Sequence, residues 1–394
     1  MTGGAVLAGR RAAAGIAAIA TGGLVLRLWG LGQGYPDFYG HVDEIGVAAS
    51  IWNFFRSGTL EPTEFTYPAL YSYLVAGLVW LSGWWTGPAL GSHRESLVLL
   101  SYLDPAQVAL AGRIWSAAAG TLTLVVTFLL GRRAGGNGVG LAAASFLAVA
   151  TVPVIQAHRA LPDSTMAMFA GLCFLFSWRL YEHGRWRDYL AAGVAAGLVL
   201  ASKYNGAFSA LAIPAAHLLR VSRPGSRKTG SVAMQTARAL VNTRLGAAVF
   251  VAFAALFAGS PYLILSSEKY LGVAAYQVSS LGFSMGQVQP WWWIVEGILV
   301  GERVIGGAML AGLVLAVVRR RALDWLLLVV VLPSMLYIGS WTRESLHYLL
   351  HLYPLLVLVC LATRPPTSPI EQLLRGGRRA THPHRFAPGR LPAG

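Results

Sequence analysis

The sequence predicts an all-α polytopic membrane protein, a bundle of about ten spans with interfacial helices in its first external loop. Three observations predict it. The chain of 394 residues is 55% hydrophobic and only 12% charged, about half the charged share of a soluble domain. Its apolar residues fall in repeated runs of about 18 or more, long enough to cross a bilayer as helix. Backbone facing lipid must pair internally, which leaves helices as the architecture for such runs. Its basic residues sit in short clusters between the runs, as the positive-inside bias produces. The net charge of +15 therefore does not point to nucleic acid, because no basic face with interleaved aromatics is present.

Spans are expected near 12–31, 108–130, 138–155, 163–181, 188–203, 205–220, 245–265, 300–318, 323–340 and 347–363. The first follows Arg10 and Arg11 and runs for about 20 residues, longer than the core of a signal peptide, so it is expected to stay in place. A further apolar stretch, "YPALYSYLVAGLVWLSGWW" (67–85), is the pivotal one, because counting it as a crossing reverses the side of everything after it. If it does not cross and the amino terminus is cytosolic, 22 of the 31 basic residues are cytosolic, as the Lys/Arg bias requires. We therefore expect 67–85 to be an interfacial or re-entrant helix, consistent with its Tyr and Trp content. Residues 1–363 then form one transmembrane domain, with 32–107 as a long external loop. The Pro-, Gly- and Arg-rich tail 364–394 is expected to be a disordered basic cytosolic segment resting near anionic lipid.

The external loop is too long to be a mere connector. It holds seven acids (Asp37, Asp43, Glu44, Glu61, Glu64, Glu95 and Asp104) against two bases (Arg56 and Arg94). Asp43 and Glu44 are adjacent in "GHVDEIGVAASIWNFF" (40–55), where the spacing of apolar residues gives a short helix at the membrane surface. A carboxylate at its amino end either caps it or does chemistry, and further polar groups at the same membrane level favour chemistry.

Those groups come from three later turns. "AHRALPDSTMAMF" (157–169) places His158, Arg159 and Asp163 externally, where Asp163 could also cap the following span. "GLVLASKYNG" (197–206) ends a span with Lys203 and Tyr204, a snorkelling lysine or a phosphate contact. "WTRESLHYLLHLYP" (341–354) brings Arg343 and His347 to the start of the last span, and a guanidinium there suits a phosphate or hydroxyl. Arg27 reads as a snorkelling anchor, and Arg113 and Arg303, like Arg343, as further external cations. His41, His158 and His347 with the acids could hold a divalent cation, although no tight spacing marks a metal site. Cys173 and Cys360 lie in apolar runs and read as small buried hydrophobes.

In their order and spacing, these motifs resemble the phospholipid carrier-dependent glycosyltransferases. The relevant relatives are the protein O-mannosyltransferases and aminoarabinose transferases of the C-type (GT-C) superfamily. The motifs are the "DE" of Asp43 and Glu44 after span one, the "YP" at Tyr67, the Arg159-to-Asp163 turn and the "SK" at Lys203. "YPAL" stands in place of a more usual double-proline form, and the soluble carboxy-terminal domain of several relatives has no counterpart in the chain as given.

The resemblance implies a GT-C membrane bundle with a catalytic first loop. It also implies a polyprenyl-phosphate sugar donor and an acceptor hydroxyl on a lipid, glycan or protein. Asp43 matches the catalytic acid, Glu44 its neighbour, Asp163 the second-loop acid and Lys203 the span-five lysine. On that basis Asp43 is expected to take the acceptor proton, with Glu44 or Asp163 orienting the acceptor. Lys203, Arg159 and Arg343 are expected to hold the departing phosphate, with Tyr67, Tyr204, His158 and His347 around them. Partners would be membrane lipids and the donor, in a cell membrane with the site on its non-cytosolic face. The rival reading is a lipid or sugar transporter or flippase, which would place its acids within spans rather than in outer loops.

Overall fold

A computed structural model describes residues 3–35, 40–86, 92–223, 241–280, 292–341 and 343–361. Asp37, the centre of the 220–244 loop and the tail 364–394 lie outside the described residues. Within them every regular element is helical. The long loop 32–107 contributes α2 (Val42–Ser57), α3 (Leu70–Thr86) and α4 (His93–Leu103), after α1 (Gly3–Leu28). The bundle continues through α5 (Gln107–Gly135), α6 (Asn137–Val149), α7 (Thr151–Ala157), α8 (Asp163–His183) and α9 (Trp186–Ser202). A 3₁₀ segment (Tyr204–Leu211) leads into α10 (Ala212–Val221), followed by α11 (Thr243–Gly259), α12 (Tyr262–Leu265) and α13 (Ser267–Ser280). Last come α14 (Trp292–Arg319), α15 (Ala322–Gly339), a second 3₁₀ segment (Leu346–Leu352) and α16 (Tyr353–Leu361).

Among the described residues, four helices are long and apolar enough to cross a membrane by themselves: Leu7–Leu28, Gln107–Gly135, Trp292–Arg319 and Ala322–Gly339. Counted together as one broken span, the bent pair α6 and α7 adds a fifth. The other expected spans are more varied than hydropathy suggested. Those at 205–220 and 347–363 begin as 3₁₀ turns, and the one at 245–265 stops at Gly259 before the short α12. Apolar side chains such as Phe250, Val304 and Val318 remain exposed on the outer surface, as lipid contact requires.

The two ends of the bundle differ in chemistry. At one end arginines pair across the helix termini: Arg133 with Glu182 at 2.7 Å, Arg179 with Asp188 at 3.0 Å and Arg319 with Asp324 at 2.9 Å. Arg220 and Arg244 donate there to the carbonyls of Glu182 and Gly184. At the other end Arg113, near the start of α5, donates to the carbonyls of Leu31 and Gln33, just past α1, both at 2.8 Å. Both ends of the long loop thus emerge at one end of the bundle. Between them α2, α3 and α4 bury Ile51, Trp52, Phe55, Tyr71, Val75 and Leu97 in a core of their own. Such side chains stabilise by roughly 1.5–3 kcal/mol each when fully buried.

The break between α6 and α7 bends the chain by 61° and frees backbone groups where a bilayer offers no water. Each such group left unpaired in hydrocarbon costs on the order of several kcal/mol. Arg27 donates to the carbonyls of Ala148 at 3.1 Å and Leu147 at 3.3 Å, at the end of α6. Glu302 accepts from the amides of Thr151 at 2.6 Å and Val152 at 2.8 Å, at the start of α7. A cation at a helix carboxyl end and an anion at an amino end also match the helix dipoles. Arg27 is therefore a fully buried clamp, not the snorkelling anchor its position suggested.

Candidate active site

The amino end of α2 carries both loop acids, and its capping separates them. His41 is the N-cap, its Nδ1 accepting the Asp43 amide at 3.2 Å. Glu44 completes the capping box by accepting the amides of Gly40 at 2.9 Å and His41 at 3.3 Å. Asp43 is thus left out of the cap. Its carboxylate is partly exposed and accepts from the Tyr67 hydroxyl at 3.0 Å.

Glu44 is fully buried, and its other partners saturate it. Arg113 forks onto both carboxylate oxygens at 3.1 and 2.7 Å, and the Ala160 amide donates at 2.7 Å. One side chain thereby joins α2, α5 and the turn before α8. Gly112 permits the close approach, since a Cβ there would sit 2.7 Å from that of Ala160. The sequence expectation placed Glu44 against the acceptor. The structure places it in a structural clasp and consumes Arg113 with it.

Asp163 starts α8 and does not cap it. It is fully buried, and both its oxygens accept from Lys203 Nζ at 2.8 Å. Lys203 reaches it because α9 ends there, with Lys203 extended at φ −161° and ψ 136°. The ammonium also lies 4.9 Å from the Tyr67 ring centre and 5.5 Å from that of Tyr348. Tyr67 therefore bridges the site, with its hydroxyl on Asp43 and its ring over Lys203. Burial and the charges of Asp163 and Asp43 push its phenol well above the usual tyrosine range, so it remains a donor.

The last bundle turn closes the group. The His347 ring packs 4.1 Å from that of Tyr348. His347 Nδ1 bonds the Ser345 hydroxyl at 2.5 Å. Arg343 donates to the Tyr348 side chain, and Asn205 fixes this segment through the Tyr348 carbonyl at 2.5 Å. Arg159 is half-buried; its amide donates to the Gln156 carbonyl at 3.3 Å, and among the described residues its guanidinium makes no hydrogen bond or ion pair.

Two expected members stand apart. Both ring nitrogens of His158 lie 2.8 Å from backbone carbonyls, those of Val154 and Trp29, so it anchors the turn and is committed elsewhere. Tyr204, next to Lys203, is 40% exposed and, among the described residues, makes no hydrogen bond to the acids. Sequence reasoning placed Tyr348 at this rim without giving it a role, and left Asn205 out of the site. Tyr348 adjoins His347 in the motif, whereas Asn205 had no signal until the two 3₁₀ segments were seen to meet.

The arrangement offers one partly exposed carboxylate, a neutral phenol, a buried acid–ammonium pair and a guanidinium to spare. That set can take a proton on one side and hold an anion on the other. Among the described residues no three His, Cys, Asp or Glu side chains are grouped to hold a metal ion. The acids near the site are instead bound to Lys203, Arg113 and Tyr67.

A family model described as dolichyl-phosphate-mannose-protein mannosyltransferase matches residues 106–241. No curated protein matches the chain in sequence. The fold is similar to that of ArnT from Cupriavidus metallidurans, solved with undecaprenyl phosphate, over 92% of this chain, with 16% identity and a TM-score of 0.58. The oligosaccharyltransferase AglB from Archaeoglobus fulgidus, solved with an inhibitory peptide and a dolichol-phosphate, matches over 97% of the chain, with 13% identity and a TM-score of 0.54. The chain spans 63% of the ArnT chain and 52% of the AglB chain. At these identities the likeness shows the fold alone, a helical bundle similar to those of ArnT and AglB.

Proposed function

We propose that this chain is a membrane glycosyltransferase that moves a sugar from a polyprenyl-phosphate donor to an acceptor hydroxyl at the non-cytosolic rim. One observation carries the reading. Asp43 is the acid left partly open, and Tyr67 joins it to the buried Asp163–Lys203 pair, beside the uncommitted Arg159.

The acceptor hydroxyl is a weak nucleophile. Asp43 takes its proton as the oxygen bonds to the anomeric carbon, a role worth roughly 10²–10⁴-fold in rate. The bond from that carbon to the phosphate oxygen breaks, and the electron pair leaves with the lipid phosphate. Lys203, Arg159 and Arg343 hold the phosphate as its charge grows. A single displacement inverts the sugar carbon. Asp163 fixes Lys203, and Glu44 positions the helix that bears Asp43. Undecaprenyl phosphate in ArnT and dolichol-phosphate in AglB support a lipid-phosphate donor. The acceptor class stays open among lipid, glycan and protein hydroxyls. The buried charges Arg27 and Glu302 do not favour a transporter, because backbone groups occupy them.

The test is to reconstitute the purified protein in vesicles with polyprenyl-phosphate carrying radiolabelled sugar. An enzyme splits the donor and leaves free polyprenyl phosphate. Label that crosses between leaflets on intact donor would overturn the reading in favour of a flippase.

A further inference from the structure

Glu302 lies far along the chain from every residue of the candidate site, yet it holds the helix that delivers two of them. It is 4% exposed, in α14, and binds the amides of Thr151 and Val152. The helix that starts there, α7, ends at Ala157, and Arg159 and Asp163 follow directly. The opposite side of the break is held by Arg27 from α1. The short helix is thus clamped at its entry by one anion, while His158 pins its exit to Trp29 and Ala160 ties the turn to Glu44.

The backbone around Glu302 is distorted in a way that serves this contact. Arg303, its neighbour, has φ 52° and ψ −119°, a conformation that L residues adopt rarely. Gly306 makes the kink possible, since a Cβ there would lie 2.1 Å from the Ile298 carbonyl oxygen. Strain of this kind persists only where surrounding structure holds it in place, and it clusters at functional positions. Here it interrupts α14 next to the carboxylate that meets α7.

We infer that Glu302, with Arg27, is a positioning device for the reaction: the pair fixes the tilt of α7 and so aims Arg159 at the donor phosphate and seats Asp163 against Lys203. The inference rests on the proposed function for what the turn does, but not for how it is held. Glu302 touches no substrate. Its loss leaves donor binding largely intact and misplaces the phosphate-holding turn. A misplacement of about 1 Å is enough to cost on the order of 10²-fold in turnover.

Two arms test it. In the first, Glu302→Gln, isosteric and uncharged, and Gly306→Ala, which disturbs the kink without touching the charge, are assayed for donor cleavage per monodisperse protein. Both are expected to lose kcat by about 10²-fold with donor KM unchanged, and Glu302→Asp to recover part of the loss. In the second, Arg159→Cys is placed in a Cys173→Ala, Cys360→Ala background, and its labelling rate by an impermeant maleimide is followed. Adding Glu302→Gln is expected to change that rate several-fold. Unchanged labelling together with unchanged kcat would overturn the inference. Failure of every variant to give monodisperse protein would overturn it too, since Glu302 would then be a folding residue. If the unsubstituted protein cleaves no polyprenyl-phosphate sugar, the functional reading fails alone, and the labelling arm still decides the positioning role.

Discussion

Asp163 and Lys203 are the pair on which most of the site's electrostatics depends, and both are buried. Removing one partner of such a pair leaves an uncompensated charge, at a cost of roughly 3–5 kcal/mol. Lys203→Met or Asp163→Leu alone should therefore lower the unfolding temperature markedly. The double variant should regain most of the stability while staying inactive, which thermal melts and a cleavage assay on the same preparations would show. Tyr67 gives a second expectation, with a definite sign. Its folded-state phenol keeps a proton that the unfolded chain releases near pH 10. The native state then binds more protons than the unfolded one, so stability is unaffected below about pH 10 and falls as pH rises above it. Tyr67→Phe should flatten that fall in alkaline melts. The acids themselves were legible in the sequence, because a carboxylate beside a bilayer needs a reason to be there. Their partners were not. Lys203 is 40 residues from Asp163 and Arg113 is 69 from Glu44, and spacing along a chain carries no information about such pairs. That is why Glu44 read as a substrate contact until Arg113 was seen to hold it.

Among the elements, α2 shows how a short helix acquires a fixed address. Its apolar face packs on α3 and α4, and its amino end is pinned through Glu44 to Arg113. Arg113→Ala should free that end, leaving Glu44 buried and unpaired at a cost of about 3–5 kcal/mol. Limited proteolysis read by mass spectrometry should then find new cuts within residues 40–57, and an unchanged pattern would contradict the clasp. The helical character of α2 and of 67–85 was legible from apolar spacing. The break at Ala150 was not, since 138–155 scores as one continuous apolar run. Its freed amides and carbonyls are satisfied by Glu302 and Arg27, distant residues that hydropathy scores only as interruptions. The 3₁₀ openings at Tyr204 and Leu346 were hidden for a similar reason: local composition permits an α-helix, and the contact between the two segments decides otherwise.

Across the bundle, among the described residues, Asp43 and Asp163 lie near one end and the paired Arg133, Arg179 and Arg319 lie at the other. Vesicles of known orientation give a direct check. Single cysteines at Glu64 and Arg187 should label from opposite faces, with position 64 on the non-cytosolic side. Labelling of both from one face would contradict the arrangement. The fold class was legible because composition and run length suffice for it. The crossing count was less so, because hydropathy cannot distinguish a long helix from a broken or short one. The most direct measurement is the rate at which Asp43→Asn releases free polyprenyl phosphate from a sugar-loaded donor in the presence of acceptor. Asp43 is partly exposed and lies outside the cap, so the variant should fold normally. The account predicts monodisperse protein with a rate lowered by about 10²–10⁴-fold. A rate equal to that of the unsubstituted chain would contradict it.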